Sequence, residues 1–116
     1  MKLYGIPNCN TVKKARDWLE EHDVVYEFHD FKKQGVTADM MSAWLQQIGW
    51  QKLLKKTGPT WGKLPDTVKI SIKDDASALK LMLEKPNVIR RPVLESKGRI
   101  LATGFDETVY QNLDLK

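Results

Sequence analysis

The sequence predicts an α/β domain, a mixed sheet flanked by helices, and three observations lead there. A strand-like segment, a helical segment and a second strand-like segment follow one another within the first thirty residues. Two short β-prone runs flank a Lys97-Gly98 turn near the other end, and helical periodicity fills the middle. A chain of 116 residues, 41% of them hydrophobic, is the right size for one core rather than two.

The opening Lys2-Leu3-Tyr4-Gly5-Ile6 reads as a short strand broken by Pro7-Asn8. Val12, Ala15, Trp18 and Leu19 then recur at helical spacing. After the polar turn Glu21-His22-Asp23, the β-branched and aromatic run Val24 to His29 reads as a second strand. Two strands joined through a helix lie parallel with a right-handed crossover. Thr37 is placed to cap a helix carrying Met40, Met41, Trp44, Leu45 and Ile48, with Gly49 as its stop, and Trp50 to Lys56 reads as a further short helix. Gly58-Pro59-Thr60-Trp61-Gly62 is expected to be a loop. Val68, Ile70 and Ile72 alternate with polar residues like a strand, and Asp74 to Glu84 is helical.

Pro92 to Ser96 and Arg99 to Thr103 form the predicted hairpin around Lys97-Gly98, and a last helix from Asp106 is expected to bury Val109, Tyr110 and Leu113. This order is a thioredoxin-like arrangement: one domain over residues 1–116 with a helical insertion at about 37–86.

The formal charge of +4 is spread evenly, with nine basic and seven acidic residues up to Thr60 and ten and eight beyond it. Without a concentrated basic face, a nucleic-acid partner is not expected. Mean hydropathy is −0.47. No run approaches the roughly 18 apolar residues of a membrane helix, and no apolar block follows Met1. A cytoplasmic protein without a membrane partner is therefore expected. His22 and His29 lack the further ligands and spacing of a metal site, so none is expected, and His29 is read as a hydrogen-bonded structural group.

One cysteine, Cys9, excludes an internal disulfide. A lone cysteine is either a small buried apolar residue or a reactive one. Cys9 lies where a strand gives way to a helix, at the carboxyl end of a strand, where open α/β sheets bind ligands. Free N–H groups at the helix start, together with Lys13, Lys14 and Arg16, would favour the thiolate. Asn10 and Thr11 are placed to donate to the sulfur or to cap the helix. Val12 stands where the second cysteine of a C-x-x-C would be, so a thiol from outside must resolve any adduct.

Four segments together resemble the arsenate reductase and Spx group of thioredoxin-like proteins, and most of all its small YffB-type members. They are Tyr4 to Cys9, Trp50 to Leu54, Thr60 to Leu64 and Arg90 to Leu94. The resemblance implies that Cys9 is a catalytic nucleophile, that Arg91 binds an anion, and that Pro92 is a cis proline shaping the pocket. It also implies a glutathione-dependent thiol reductase, with glutathione as co-substrate, glutaredoxin as a possible partner and no tightly bound cofactor. Read from the sequence alone, without the resemblance, Arg91 is a solvated strand-end charge.

The family's further arginines match Lys55 and Gly104 here, and its histidine and asparagine ahead of the loop proline match Gly5 and Ile6. Lys55 keeps a charge without the guanidinium fork. These departures point away from efficient arsenate reduction, leaving a low-efficiency arsenate reductase as one alternative. An Spx-like adaptor for RNA polymerase is the other, weakened by the missing C-x-x-C. Packing roles account for most of the tryptophans, and Trp61 is the candidate to border the thiol.

Overall fold

A computed structural model describes residues 1–113. The chain sorts into two compact units, residues 1–35 with 91–116 and residues 36–90.

The first unit is built on a four-stranded sheet. It contains β1 (Lys2–Gly5), α1 (Asn10–Glu21), β2 (Glu27–Asp30), the single turn α2 (Phe31–Gln34), β3 (Val93–Ser96), β4 (Arg99–Thr103) and, at its end, a short helix at Glu107–Gln111. The strand order is β2-β1-β3-β4, with β1 and β2 parallel and the other pairs antiparallel. Val12, Ala15, Trp18 and Leu19 are the buried residues of α1. They share a core with Leu3, Leu94 and Tyr110, in which Trp18 meets Tyr110 edge-on at 5.4 Å. At the hairpin turn Lys97 and Gly98 both have positive φ, 54° and 80°, the combination a two-residue type I′ turn demands.

The second strand begins later than its composition predicts. Val24 donates its N–H to Leu19 O at 2.9 Å, closing the turn after α1 instead of joining the sheet, and Val25 is 90% exposed. In the last helix Asp106 accepts from the N–H groups of Thr108 and Val109. Tyr110 is buried and Leu113 packs against the core. Val109, expected to be buried, is 43% exposed, because it falls one position off the stripe that joins 110 to 113.

The second unit is helical: α3 (Ala38–Ile48), α4 (Trp50–Leu53), α5 (Pro59–Gly62), α6 (Asp66–Ser71) and α7 (Asp75–Glu84), followed by a 3-10 turn at Pro86–Val88. The helix at Glu107–Gln111 is thus α8. Thr37 caps α3 by accepting from Met40 N, and Gly49, at φ 79°, ends it. α3 packs on α4 and α7, burying Met41, Trp44 and Leu45 beside Ala78, Leu81 and Met82. Asp74 and Ser77 close a reciprocal capping box at the start of α7.

Three sequence expectations change here. The predicted helix over 50–56 stops at Leu53, because Leu53 O accepts from Arg90 N and Lys55 N donates to Val88 O, which draws this segment into a short antiparallel bridge. The predicted loop at 58–62 contains the helical turn α5. Pro59 starts it at the first position, where no N–H is needed, and Gly62 N donates to Gly58 O at 3.0 Å. Of the strand-like Val68 to Ile72, residues 68–71 belong to α6 and Ile72 is its extended C-cap, with Val68 N and Lys69 N both donating to Pro65 O. Its alternation does not mark a sheet face, since Ile70 is 78% exposed while Ile72 is buried.

The packing of α1 on β1 leaves no room at Gly5. A Cβ there would lie 2.8 Å from Val12 Cγ2, and Val12 is fully buried. Gly5→Ala is expected to destabilise the protein by about 1–3 kcal/mol, the usual cost of overpacking. Urea denaturation checks this, and adding Val12→Ala should recover part of the loss.

Candidate active site around Cys9

Pro7 and Asn8 turn the chain out of the sheet, so that Cys9 becomes the N-cap of α1, with extended backbone angles of −103° and 125°. Its carbonyl accepts from Lys13 N at 2.9 Å, the first intrahelical bond, and its thiol is half-buried. No side chain caps the helix. The N–H groups of the first turn are the orphan donors of any helix start, and here a thiol stands where serine or aspartate usually accepts them.

The surroundings of the thiol oppose one another. Burial, the largest single influence, raises the pKa of Cys9. Against it act the Val12 N–H, a hydrogen bond from the Arg91 side chain, the Thr11 N–H and the Arg91 charge. Together they win, and the thiol lies below its ordinary value.

Arg91 is half-buried and precedes Pro92 through a cis peptide bond. Pro92 O accepts from Gly104 N at 2.9 Å, which ties the entry of β3 to the exit of β4. Gly104 has a φ of 72°, in the left-handed region where an arginine would be strained.

Cys9, Arg91 and Pro92 thus belong to one unit, and Arg91 meets the thiol. Asn10 and Thr11 are exposed, and the contribution of Thr11 comes from its main chain, not its hydroxyl. The Val12 N–H is one of the free helix-start donors expected to favour the thiolate. Residues two and three after a helix cap present free donors whatever their side chains.

Of the three basic residues expected to favour the thiolate, Arg16 is committed elsewhere. Its Nε donates to Tyr26 Oη at 3.1 Å and its guanidinium lies 4.3 Å from the Phe28 ring centre. Lys55 and Trp61 belong to the 36–90 unit. There the Lys55 side chain runs past Gly58, and Lys56 Nζ lies 5.1 Å from the Trp50 ring centre and 5.8 Å from that of Trp61. His22 stacks on Trp18 and bonds Trp18 O through Nδ1, while His29 Nε2 donates to Gly35 O at 3.0 Å. Among the described residues no three His, Cys, Asp or Glu side chains gather as a metal site, and no helix is long and apolar enough to cross a membrane.

A single thiol at the strand-to-helix junction of a four-stranded mixed sheet, beside an arginine and a cis proline, defines a thioredoxin-like protein of the one-cysteine kind. The model of the ArsC family matches residues 4–113, and the chain belongs to that family. A Haemophilus influenzae protein of uncharacterised function is 38% identical over 109 residues, covering 94% of each chain. A global transcriptional regulator Spx from Listeria innocua is 28% identical and spans 90% of this chain and 79% of its own length.

Among solved structures, a YffB protein superposes with a TM-score of 0.88 at 44% identity, covering 95% of both chains. An arsenate reductase (ArsC) related protein from Brucella melitensis superposes at 0.78, also at 44% identity, over 95% of this chain and 90% of that one. The family therefore joins arsenate reductase-like proteins and Spx-type regulators, and this chain is similar to both.

Proposed function

We propose that the protein is a glutathione-dependent thiol reductase with Cys9 as its nucleophile. The observation that carries this reading is the lowered pKa of a half-buried thiol held by two main-chain N–H groups and Arg91. The Cys9 thiolate attacks the glutathione sulfur of a mixed disulfide. A Cys9–glutathione disulfide forms, the substrate's S–S bond breaks, and the departing thiolate takes up a proton. A second glutathione thiolate then attacks the adduct, giving glutathione disulfide and restoring Cys9. One free glutathione is consumed per turnover: its sulfur leaves joined to the glutathione released from the substrate, and the substrate is left as a free thiol.

In this reading Arg91 holds an anionic group of the partner beside the thiol, and Pro92 sets the direction of the chain there. Thr11 and Asn10 line the approach. Glutaredoxin is an alternative second thiol. With glycine at 104 and lysine at 55, arsenate is a poor substrate at best. The pH dependence of alkylation by iodoacetamide tests the proposal: the midpoint for Cys9 should fall below about 8.5, the value of an unperturbed thiol. A midpoint at or above that value overturns it.

The similarity to Spx supports a second reading, an adaptor that binds RNA polymerase with Cys9 only modulatory. Recovery of polymerase from lysate by both wild type and Cys9→Ser would favour it.

A further inference from the structure

A groove of about 210 Å³ runs beside α1, lined by Pro7, Lys13, Arg16, Asp17 and Glu20. Its lining includes Pro7, in the loop that carries Cys9. Pro7 is two residues before Cys9, and Lys13 N is bonded to Cys9 O. Positions 13, 16, 17 and 20 follow one another along a single stripe of the helix, so both signs of charge line one trough. Part of this lining is fixed in place. Tyr26 Oη receives Arg16 Nε and donates to Glu20 Oε1 at 3.3 Å, while the Arg16 guanidinium rests on Phe28.

A trough carrying both cations and anions suits a zwitterion better than a simple anion. Glutathione ends in one, because its γ-linkage leaves the α-ammonium and α-carboxylate of the glutamyl residue free. We propose that the groove seats this γ-glutamyl end while the glutathione sulfur is joined to Cys9, with the carboxylate facing Lys13 and Arg16 and the ammonium facing Asp17. This deepens the reading of Cys9 as a glutathione-dependent nucleophile and rests on it.

The reach is adequate. Asp17 stands eight residues beyond Cys9, about 12 Å along the helix axis, and helical side chains lean back toward the N-terminus. The extended γ-glutamyl-cysteinyl arm spans about 10 Å.

The test compares two oxidants on the full-length protein. Cys9 attacks a sulfur of glutathione disulfide, the Cys9–glutathione bond forms, the old S–S bond breaks and one glutathione thiolate leaves. The disulfide of cysteinylglycine reacts in the same way without a γ-glutamyl group. Asp17→Asn should slow adduct formation by glutathione disulfide about fivefold and leave the cysteinylglycine reaction unchanged, which also certifies that the variant is folded.

Long-range charge effects predict the opposite sign. Glutathione disulfide is an anion, so removing a nearby carboxylate should speed its approach. A rate for Asp17→Asn that is unchanged, faster, or slowed equally with both disulfides overturns the groove assignment and leaves the thiol reading standing. Failure of wild-type Cys9 to react with either disulfide overturns both.

Discussion

Cys9→Ser is expected to abolish the glutathione adduct seen by mass spectrometry and to lower reduction of a glutathionylated substrate at least about a hundredfold, since the bond-forming atom is gone. The same substitution should not destabilise the protein. Cys9 is the N-cap of α1, and its sulfur is a weak acceptor for the Val12 and Thr11 N–H groups, whereas serine at this position accepts from them readily. Equilibrium unfolding should therefore show Cys9→Ser equal to wild type or more stable, by up to about 1 kcal/mol. Activity and stability moving in opposite directions is the signature of a residue kept for its reactivity at the expense of helix capping. A variant that loses activity and stability together would instead mark Cys9 as a packing residue.

Arg91→Ala should shift the alkylation midpoint of Cys9 to higher pH. Arg91 stabilises the thiolate through a hydrogen bond and through its charge, and neither acts on the neutral thiol, so removing it favours protonation while burial continues to raise the pKa. Below both midpoints the reactive fraction falls, and alkylation at neutral pH should slow by about threefold to tenfold, the effect of a charge-assisted bond partly screened by solvent. Above both midpoints wild type and variant should alkylate alike. This convergence separates loss of thiolate from loss of access. Arg91→Lys should fall between the two, keeping the charge and losing the planar donors.

Much of the first unit was legible because its residues carry strong local signals. The stripe of Val12, Ala15, Trp18 and Leu19 and the Lys97-Gly98 turn needed only periodicity and turn chemistry, as did the Thr37 cap in the second unit. Where the chain was misread, long-range or main-chain bonds decided. Leu54 ends a helix because Ile89 offers a strand partner. Val68 to Ser71 is helical because Pro65 starts a turn that three alternating apolar residues cannot outweigh. At the site, Cys9 was legible from its place between a strand and a helix, and Arg91 through the family resemblance. The free N–H groups of the helix start were expected as a class, while the commitment of Arg16 to Tyr26 depends on a residue ten positions away.

The family resemblance puts a histidine where this chain has Gly5, and Val12 occupies the volume beyond that glycine's backbone. Restoring an imidazole at position 5 would thus require position 12 to shrink first, and that change alone would open a void in a closed core. Neither substitution is favourable without the other. The contact couples the two positions, so an imidazole at 5 and a smaller side chain at 12 are reached together and not one at a time.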